Sequence, residues 1–295
     1  MTSDKNDSAE TKELKEIIRQ KDLEIQKYRS ELSKTNQSLE RLAVDLSQEL
    51  KWVTVIQKAL SPTAIPNIPG FEFSTKFVPG NEVGGDYFDI FEHDDRLKFG
   101  MLLSSASGYA MSALFLSVLL KLSNRIEAKK GTAPSQALSL LANEMRPNMQ
   151  PKDEAQIFYG VVDRRTFEFR YSSLGNLTAL HQPQGTEKLI RLESSGGSLN
   201  VNSKNQPLEH SILLGPRDRL ILCSEGVLSA PNGQGMAFGL EQLQKAILRA
   251  PRLGVHDVRN EILFSLEQHT QTSEPLRDIT VLVIEVSDRV IKLAK

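Results

Sequence analysis

Between Leu14 and Leu60 the apolar residues return in alternating steps of four and three: Leu14, Ile18, Ile25, Tyr28, Leu32, Leu39, Leu42, Leu46, Val53, Ile56 and Leu60 keep one register. Lys21, Thr35 and Glu49 fall on the same stripe, and the positions between are mostly Lys, Glu, Gln, Ser and Asp. A heptad pattern of this kind predicts a long helix over residues 13–60 whose seam is covered by a second helix, most simply in a parallel homodimeric coiled coil. A helix folded back on its own domain would cover the same stripe. The polar seam residues cost stability and can set the register. Residues 1–12 lack the pattern and are expected to be disordered. Pro62 removes a helical donor and disfavours helix at Ser61, so residues 61–70, SPTAIPNIPG, read as a stiff Pro-rich connector.

After the connector the period changes to two. Phe71, Phe73, Thr75 and Phe77 alternate with Glu72, Ser74 and Lys76, the pattern of a half-buried strand. Further strands are predicted over residues 86–91, 97–104, 155–163, 166–173, 187–192, 211–214, 218–223 and 278–286, and helices over 109–129, 134–147, 239–249 and 255–269. Strands outnumber helices, and tight turns such as Asp163-Arg164-Arg165 separate them, so an α+β fold of antiparallel sheets with helices packed outside is expected. The domain is placed at residues 71–287, with a tail at 288–295. The run SSGGSLNVNSKNQ, residues 194–206, reads as a surface loop.

Composition narrows the function classes. With 25% charged residues and a net charge of -1, the chain has no global field to recruit nucleic acid or an anionic membrane. The apolar run MSALFLSVLL is too short to span a bilayer, and the N-terminus has neither the basic start nor the apolar core of a signal peptide, so a cytoplasmic location is expected. The single cysteine, Cys223, lies in an apolar run and reads as a buried small hydrophobe. His93, His181, His210, His256 and His269 show no ligand spacing and are read as surface or loop residues. Arg164-Arg165 and Lys129-Lys130 are read as solvated faces.

One stretch suggests chemistry. In EVGGDYFD, Gly84 and Gly85 let the backbone bend ahead of Asp86 and leave a carboxylate at a strand edge, the kind of oxygen that Mg²⁺ or Mn²⁺ prefers. Asp89, three residues on, would face the other side of the strand. Asp94-Asp95 reads as a hairpin turn.

The order IQKALSPTAIPNIPGFEFSTKFVPGNEVGGDYFDIF, residues 56–91, resembles the start of the metal-dependent serine/threonine phosphatase domain of the bacterial sporulation and stress-response type, SpoIIE-like, in the PPM superfamily. The similarity continues in order through SGYAMSALFLS (107–117), SLGNLTALHQP (173–183), GPRDRLILCSEGV (215–227), FGLEQL (238–243) and RDITVLVIEV (277–286). The resemblance implies an α-β-β-α sandwich of two antiparallel sheets flanked by helices. It also implies a binuclear Mg/Mn site between the sheets, whose metal-activated water attacks a phosphoserine or phosphothreonine without a covalent intermediate.

The family's acids transfer only in part. Asp86 is present. Where the family has aspartate two residues before Ser-Gly, this chain has Ser105, and Tyr109-Ala110 follow Gly108 in place of a small or His-Gly pair. Ser224-Glu225-Gly226 replaces Thr-Asp-Gly, and Arg277-Asp278 replaces Asp-Asp, whose first member is a metal ligand in the family. Ser105 removes a charge, and Glu225 is one methylene too long for a near-ideal octahedron. Arg277 puts a fixed cation at a ligand position, where it would oppose a metal or pair with Asp86 or Glu225. A one-residue shift of the last block would instead make Asp278 the ligand. These substitutions leave no catalytic residue and at most weak metal binding by Asp86 and Glu225, with Mg or Mn required only if activity survives. The expected function is that of a pseudophosphatase binding a protein, such as an anti-sigma antagonist, in a partner-switching pathway; the alternative is an active Mn/Mg-dependent serine/threonine phosphatase.

Overall fold

The computed structural model describes residues 18–42, 44, 65–80, 85–107, 132–194, 196–204, 206–250, 254–272 and 274–287. The chain divides into two compact units, Met1–Trp52 and Val53–Lys295.

In the first unit, residues 18–42 form one helix, α1. Its seam residues Ile18, Ile25, Tyr28, Leu32, Leu39 and Leu42 are all exposed. The polar seam members turn back onto the helix: Lys21 Nζ donates to Glu24 at 2.8 Å and Thr35 Oγ1 to the Glu31 carbonyl at 2.9 Å. The seam from Leu46 onward and the predicted helix end near Ser61 lie outside the described residues.

The second unit is built from ten strands among the described residues. They are β1 (Phe71–Val78), β2 (Gly85–Glu92), β3 (Lys98–Ser107), β4 (Glu154–Asp163), β5 (Glu168–Leu174), β6 (Thr178–Gln182), β7 (Ile190–Arg191), β8 (His210–Leu213), β9 (Arg219–Cys223) and β10 (Ile279–Val286). The helices are α2 (Pro134–Met145), α3 (Glu225–Ser229), α4 (Gly239–Arg249) and α5 (Val255–Thr270). The first sheet has the order β1-β10-β9-β6-β7 and the second β2-β3-β4-β5-β8, and the named pairs are antiparallel.

Strand alternation sorts the side chains into three apolar layers. Phe88, Met101, Leu103 and Phe158 of the second sheet meet Leu220, Leu222, Leu282 and Ile284 of the first between the sheets. Tyr87, Leu102 and Tyr159, on the second sheet's outer face, pack with Leu138 and Leu141 of α2. Ile221, Cys223, Val281 and Val283 pack with Leu243 of α4 and Ile262 of α5. The expected α-β-β-α sandwich is therefore present. The second half of the Pro-rich segment belongs to this packing, because Ile68 is buried in the central layer and its carbonyl accepts from Phe71 N at 3.1 Å.

Several sequence readings need correction. Strand β6 is absent from the predicted set; it lies in the interior of its sheet between β9 and β7, so four of its five residues are buried and no alternation marks it. Helix α3 spans 5 residues, too few to show a helical period. The predicted strand at 187–192 shrinks to Ile190–Arg191, and β3 runs on to Ser107. Ser74 faces α5 rather than water and bonds His256 Nδ1 at 2.8 Å, because helices cover the outer face of β1.

Arg164 is buried, not solvated, and donates to the carbonyls of Arg96 and Pro69 at 3.1 Å each. Arg165 is the solvent-facing member, paired with Asp95 at 2.8 Å. His93 and His181 are buried. His181 lies on β6 and its Nε2 meets Asp218 Oδ2 at 2.9 Å, an interaction that pairing strands far apart in sequence creates. The predicted helix at 109–129, with Tyr109 and Ala110, and Lys129-Lys130 lie outside the described residues.

Candidate functional site

The register of the second sheet places three polar residues in one row. Asp86 of β2 lies opposite Ser105 of β3, and Ser105 lies opposite Gln156 of β4. Opposed residues of antiparallel strands project from the same face. Two residues further along β2 and β4, Phe88 and Phe158 face the central layer, so the row Asp86-Ser105-Gln156 looks toward the first sheet. Gly85 opens β2 beside Asp86 and is buried; Gly84 and Gly108 lie outside the described residues.

The first sheet answers with the ends of β9 and β10. Ser224 N donates to the Thr280 carbonyl at 3.0 Å, and Thr280 N donates to Ser224 Oγ at 3.0 Å, which extends the β9-β10 ladder by one step. Thr280 Oγ1 then donates to Asp86 Oδ2 at 2.8 Å, tying one sheet to the other. Asp278 is buried, and its carboxylate accepts from Gly80 N at 2.8 Å and from Asp86 N at 3.2 Å. It therefore fastens the β1–β2 connection to β10. Gly226 is required by close approach: a Cβ there would overlap the Asp278 carbonyl oxygen.

Glu225 and Arg277 form the outer part of the site, each about half exposed. Arg277 Nη1 lies 3.4 Å from Glu225 Oε1, so the guanidinium pairs with Glu225 and not with Asp86. Gln156 Nε2 donates to Glu225 Oε2 at 2.7 Å. Glu225 and Arg277 also line a groove of about 810 Å³, whose apolar wall includes Val78, Leu263, Leu266 and Leu276.

Burial pushes the Asp86 carboxyl from its ordinary value of 3.8 up to about 7, and the neighbouring Asp278 charge adds to the rise. The hydroxyls of Ser105, Ser224 and Thr280 pull it part of the way back. Asp89 lies on the other face of β2, as its spacing predicts, and accepts from the Tyr87 hydroxyl at 3.0 Å. The structure thus gathers Asp86, Ser105, Glu225, Gly226, Arg277 and Asp278 at one end of the sandwich. Sequence reasoning missed Gln156, Thr280 and Ser224 as members. Thr280 and Ser224 stand inside the motif blocks, but nothing marks Gln156 until the register is known.

The family model of Stage II sporulation protein E (SpoIIE) matches residues 95–287, well over half of the chain. The chain belongs to the SpoIIE family. Its relative IcfG of Synechocystis sp. is 23% identical over 272 residues, which is 80% of this chain and 41% of IcfG. This SpoIIE family member therefore spans about two fifths of that relative's length. The SiaA-PP2C domain of Pseudomonas aeruginosa matches 82% of the chain with 97% of its own at a TM-score of 0.66 and 17% identity. The RsbU and RsbW domains of Rv1364c from Mycobacterium tuberculosis match 76% of the chain with 63% of theirs, at a TM-score of 0.62 and 19% identity. At such identities the likeness concerns the fold. SpoIIE-like phosphatases of the PPM class depend on metal, and the neighbour RsbX, at a TM-score of 0.55, 13% identity and coverage of 76% and 99%, is in complex with magnesium.

Among the described residues the donors do not fit a binuclear Mg/Mn centre. Two hard cations need several carboxylates to fill their shells and to offset their mutual repulsion. In this SpoIIE domain the row facing the first sheet offers one acid, one hydroxyl and one amide. The Asp278 carboxylate is committed to two backbone N–H groups. Among the described residues no group of three or more His, Cys, Asp and Glu is arranged to hold a metal ion.

Proposed function

We propose that this chain is a catalytically impaired SpoIIE-like phosphatase that acts by binding a protein. One observation carries the reading: Arg277, at the position of a family ligand, pairs with Glu225 at 3.4 Å while Ser105 lies directly opposite Asp86. A fixed guanidinium next to the remaining exposed acid opposes a divalent cation electrostatically, and a serine cannot supply the missing charge. Without a bound cation there is no activated water for attack on a phosphate ester.

The partner class we infer is a protein of a partner-switching pathway, such as an anti-sigma antagonist, met in the cytoplasm. The likeness to the RsbU and RsbW domains of Rv1364c supports that direction. The groove beside Glu225 and Arg277 offers apolar surface at the scale that binding sites use. The exposed heptad seam of α1 supports a homodimer made through a coiled coil over residues 13–60. Among the described residues no helix is long and apolar enough to cross a membrane.

The test is Mn²⁺ and Mg²⁺ calorimetry on the full chain beside hydrolysis of a phosphoserine peptide, with Asp86→Ala as control. The expected result is no heat of specific binding and no turnover at millimolar metal. Turnover that vanishes in Asp86→Ala overturns the reading and makes the chain an Mn/Mg-dependent serine/threonine phosphatase that uses Asp86 and Glu225.

A further inference from the structure

We propose that Arg277 takes the place of a divalent cation at Glu225, so that the open end of the sandwich is closed by a clamp that needs no metal. The proposal rests on the reading of this corner as a former metal site. Both Glu225 oxygens are engaged: Oε1 with Arg277 Nη1 at 3.4 Å, and Oε2 with Gln156 Nε2 at 2.7 Å. Gln156 Oε1 in turn accepts from Asn176 N at 3.2 Å. The amide therefore points its donor at Glu225 and its oxygen away, the reverse of what a cation between them would require.

The relay Arg277-Glu225-Gln156-Asn176 crosses from the first sheet to the second. Arg277 precedes β10, Glu225 follows β9, Gln156 lies on β4 and Asn176 follows β5. The main chain at Arg277 is fixed from two sides. A Cβ on Gly80 would overlap its backbone, and Gly226 packs close to its side-chain stem, where an added Cβ would lie 3.4 Å from the Arg277 Cβ. The guanidinium is thus delivered to Glu225 by packed backbone, not by a free loop. Its charge offsets that of the Glu225 carboxylate, 3.4 Å away.

The clamp is tested by melting the full chain in EDTA and in millimolar MnCl₂. Wild type should melt at the same temperature in both. Arg277→Ala should melt lower in EDTA and recover with Mn²⁺, by about 3–6 °C if the ion fills a weak site about tenfold over its dissociation constant. Arg277→Lys, which keeps the charge, should remain indifferent to Mn²⁺, and Glu225→Gln/Arg277→Ala should lose the Mn²⁺ response. An Arg277→Ala protein that ignores Mn²⁺ overturns the clamp, as does a wild-type response of the same size. Phosphopeptide turnover, followed separately, reports on the function proposed above: an inactive protein whose Arg277→Ala variant ignores Mn²⁺ loses the clamp and keeps the pseudophosphatase reading.

Discussion

Replacing Asp86 by Asn should stabilise the protein, and only above acidic pH. The side chain is buried, and its carboxyl is raised from 3.8 to about 7, first by burial and then by the charge of Asp278. A raised acid favours the protonated form in the folded state, so it costs nothing below pH 3.8. Between 3.8 and about 7 the folded state binds more protons than the unfolded one, and stability falls as pH rises. Above about 7 the loss is complete. About three pKa units at about 1.4 kcal/mol each give an upper bound of about 4 kcal/mol, which local relaxation would reduce. Asn keeps an oxygen for the Thr280 hydroxyl, and its amide has the hydroxyl oxygens of Ser105 and Ser224 as acceptors. The assay is urea unfolding of both proteins in EDTA at half-unit steps from pH 4 to 8.5. The stability difference should be near zero at pH 4 and grow by at most about 1.4 kcal/mol per pH unit before levelling off. An Asn variant less stable than wild type at pH 8, or a difference that does not change with pH, would refute the assignment of Asp86 as a buried charge without a cation.

Three further outcomes follow from other parts of the molecule. Glu285 is buried and holds Arg217 Nη1 at 2.7 Å and Arg219 Nε at 2.6 Å, so Glu285→Ala removes the carboxylate that offsets the buried Arg219 cation and should cost about 3–5 kcal/mol in urea unfolding. Burial pushes the Cys223 thiol up to about 12, so a thiol reagent at pH 8 should label the native chain only through unfolding and the urea-unfolded chain within seconds; comparable rates would contradict its place in the core. Leu32→Asp puts a charge into the exposed seam of α1 and should shift the chain from dimer to monomer in sedimentation equilibrium, whereas an unchanged mass would remove the coiled coil from the proposal.

How far the sequence revealed this molecule depended on which interactions are local. Period-two alternation exposed β1, and apolar runs bounded by turns exposed β2 to β5, because in those segments the residues themselves carry the pattern. It failed at β6, where both faces are covered and the alternation is erased. It failed also at Arg164 and His181, whose burial depends on partners at Pro69 and Asp218 that only tertiary pairing supplies. In the site, the motif positions of Asp86, Ser105 and Glu225 could be read from the flanking glycines that fix their register, whereas the last block left Arg277 and Asp278 as alternatives. The choice of Glu225 over Asp86 as the partner of Arg277 was not, since it turns on the direction of one side chain at the edge of a sheet. Gln156 was invisible for the same reason: a glutamine in an apolar strand gains meaning only from the residue across the ladder.

The two sheets do not depend on the site for their cohesion. Aromatic and aliphatic residues such as Phe71, Phe99, Phe169 and Leu282 fill the space between them, and burial of that kind is indifferent to what the strand ends carry. Acids can therefore leave the open end without unfolding the sandwich, provided the polar groups left there find partners. Here they do: Thr280 with Asp86, Asp278 with two backbone donors, and Gln156 and Arg277 with Glu225. Catalysis by a metal centre asks for the opposite arrangement, oxygens held unpaired and convergent for an ion to complete. A site whose oxygens are already satisfied by its own hydroxyls, amides and guanidinium is suited to hold a shape. Under the proposed function, that shape, with the groove beside it, is what a protein partner would read.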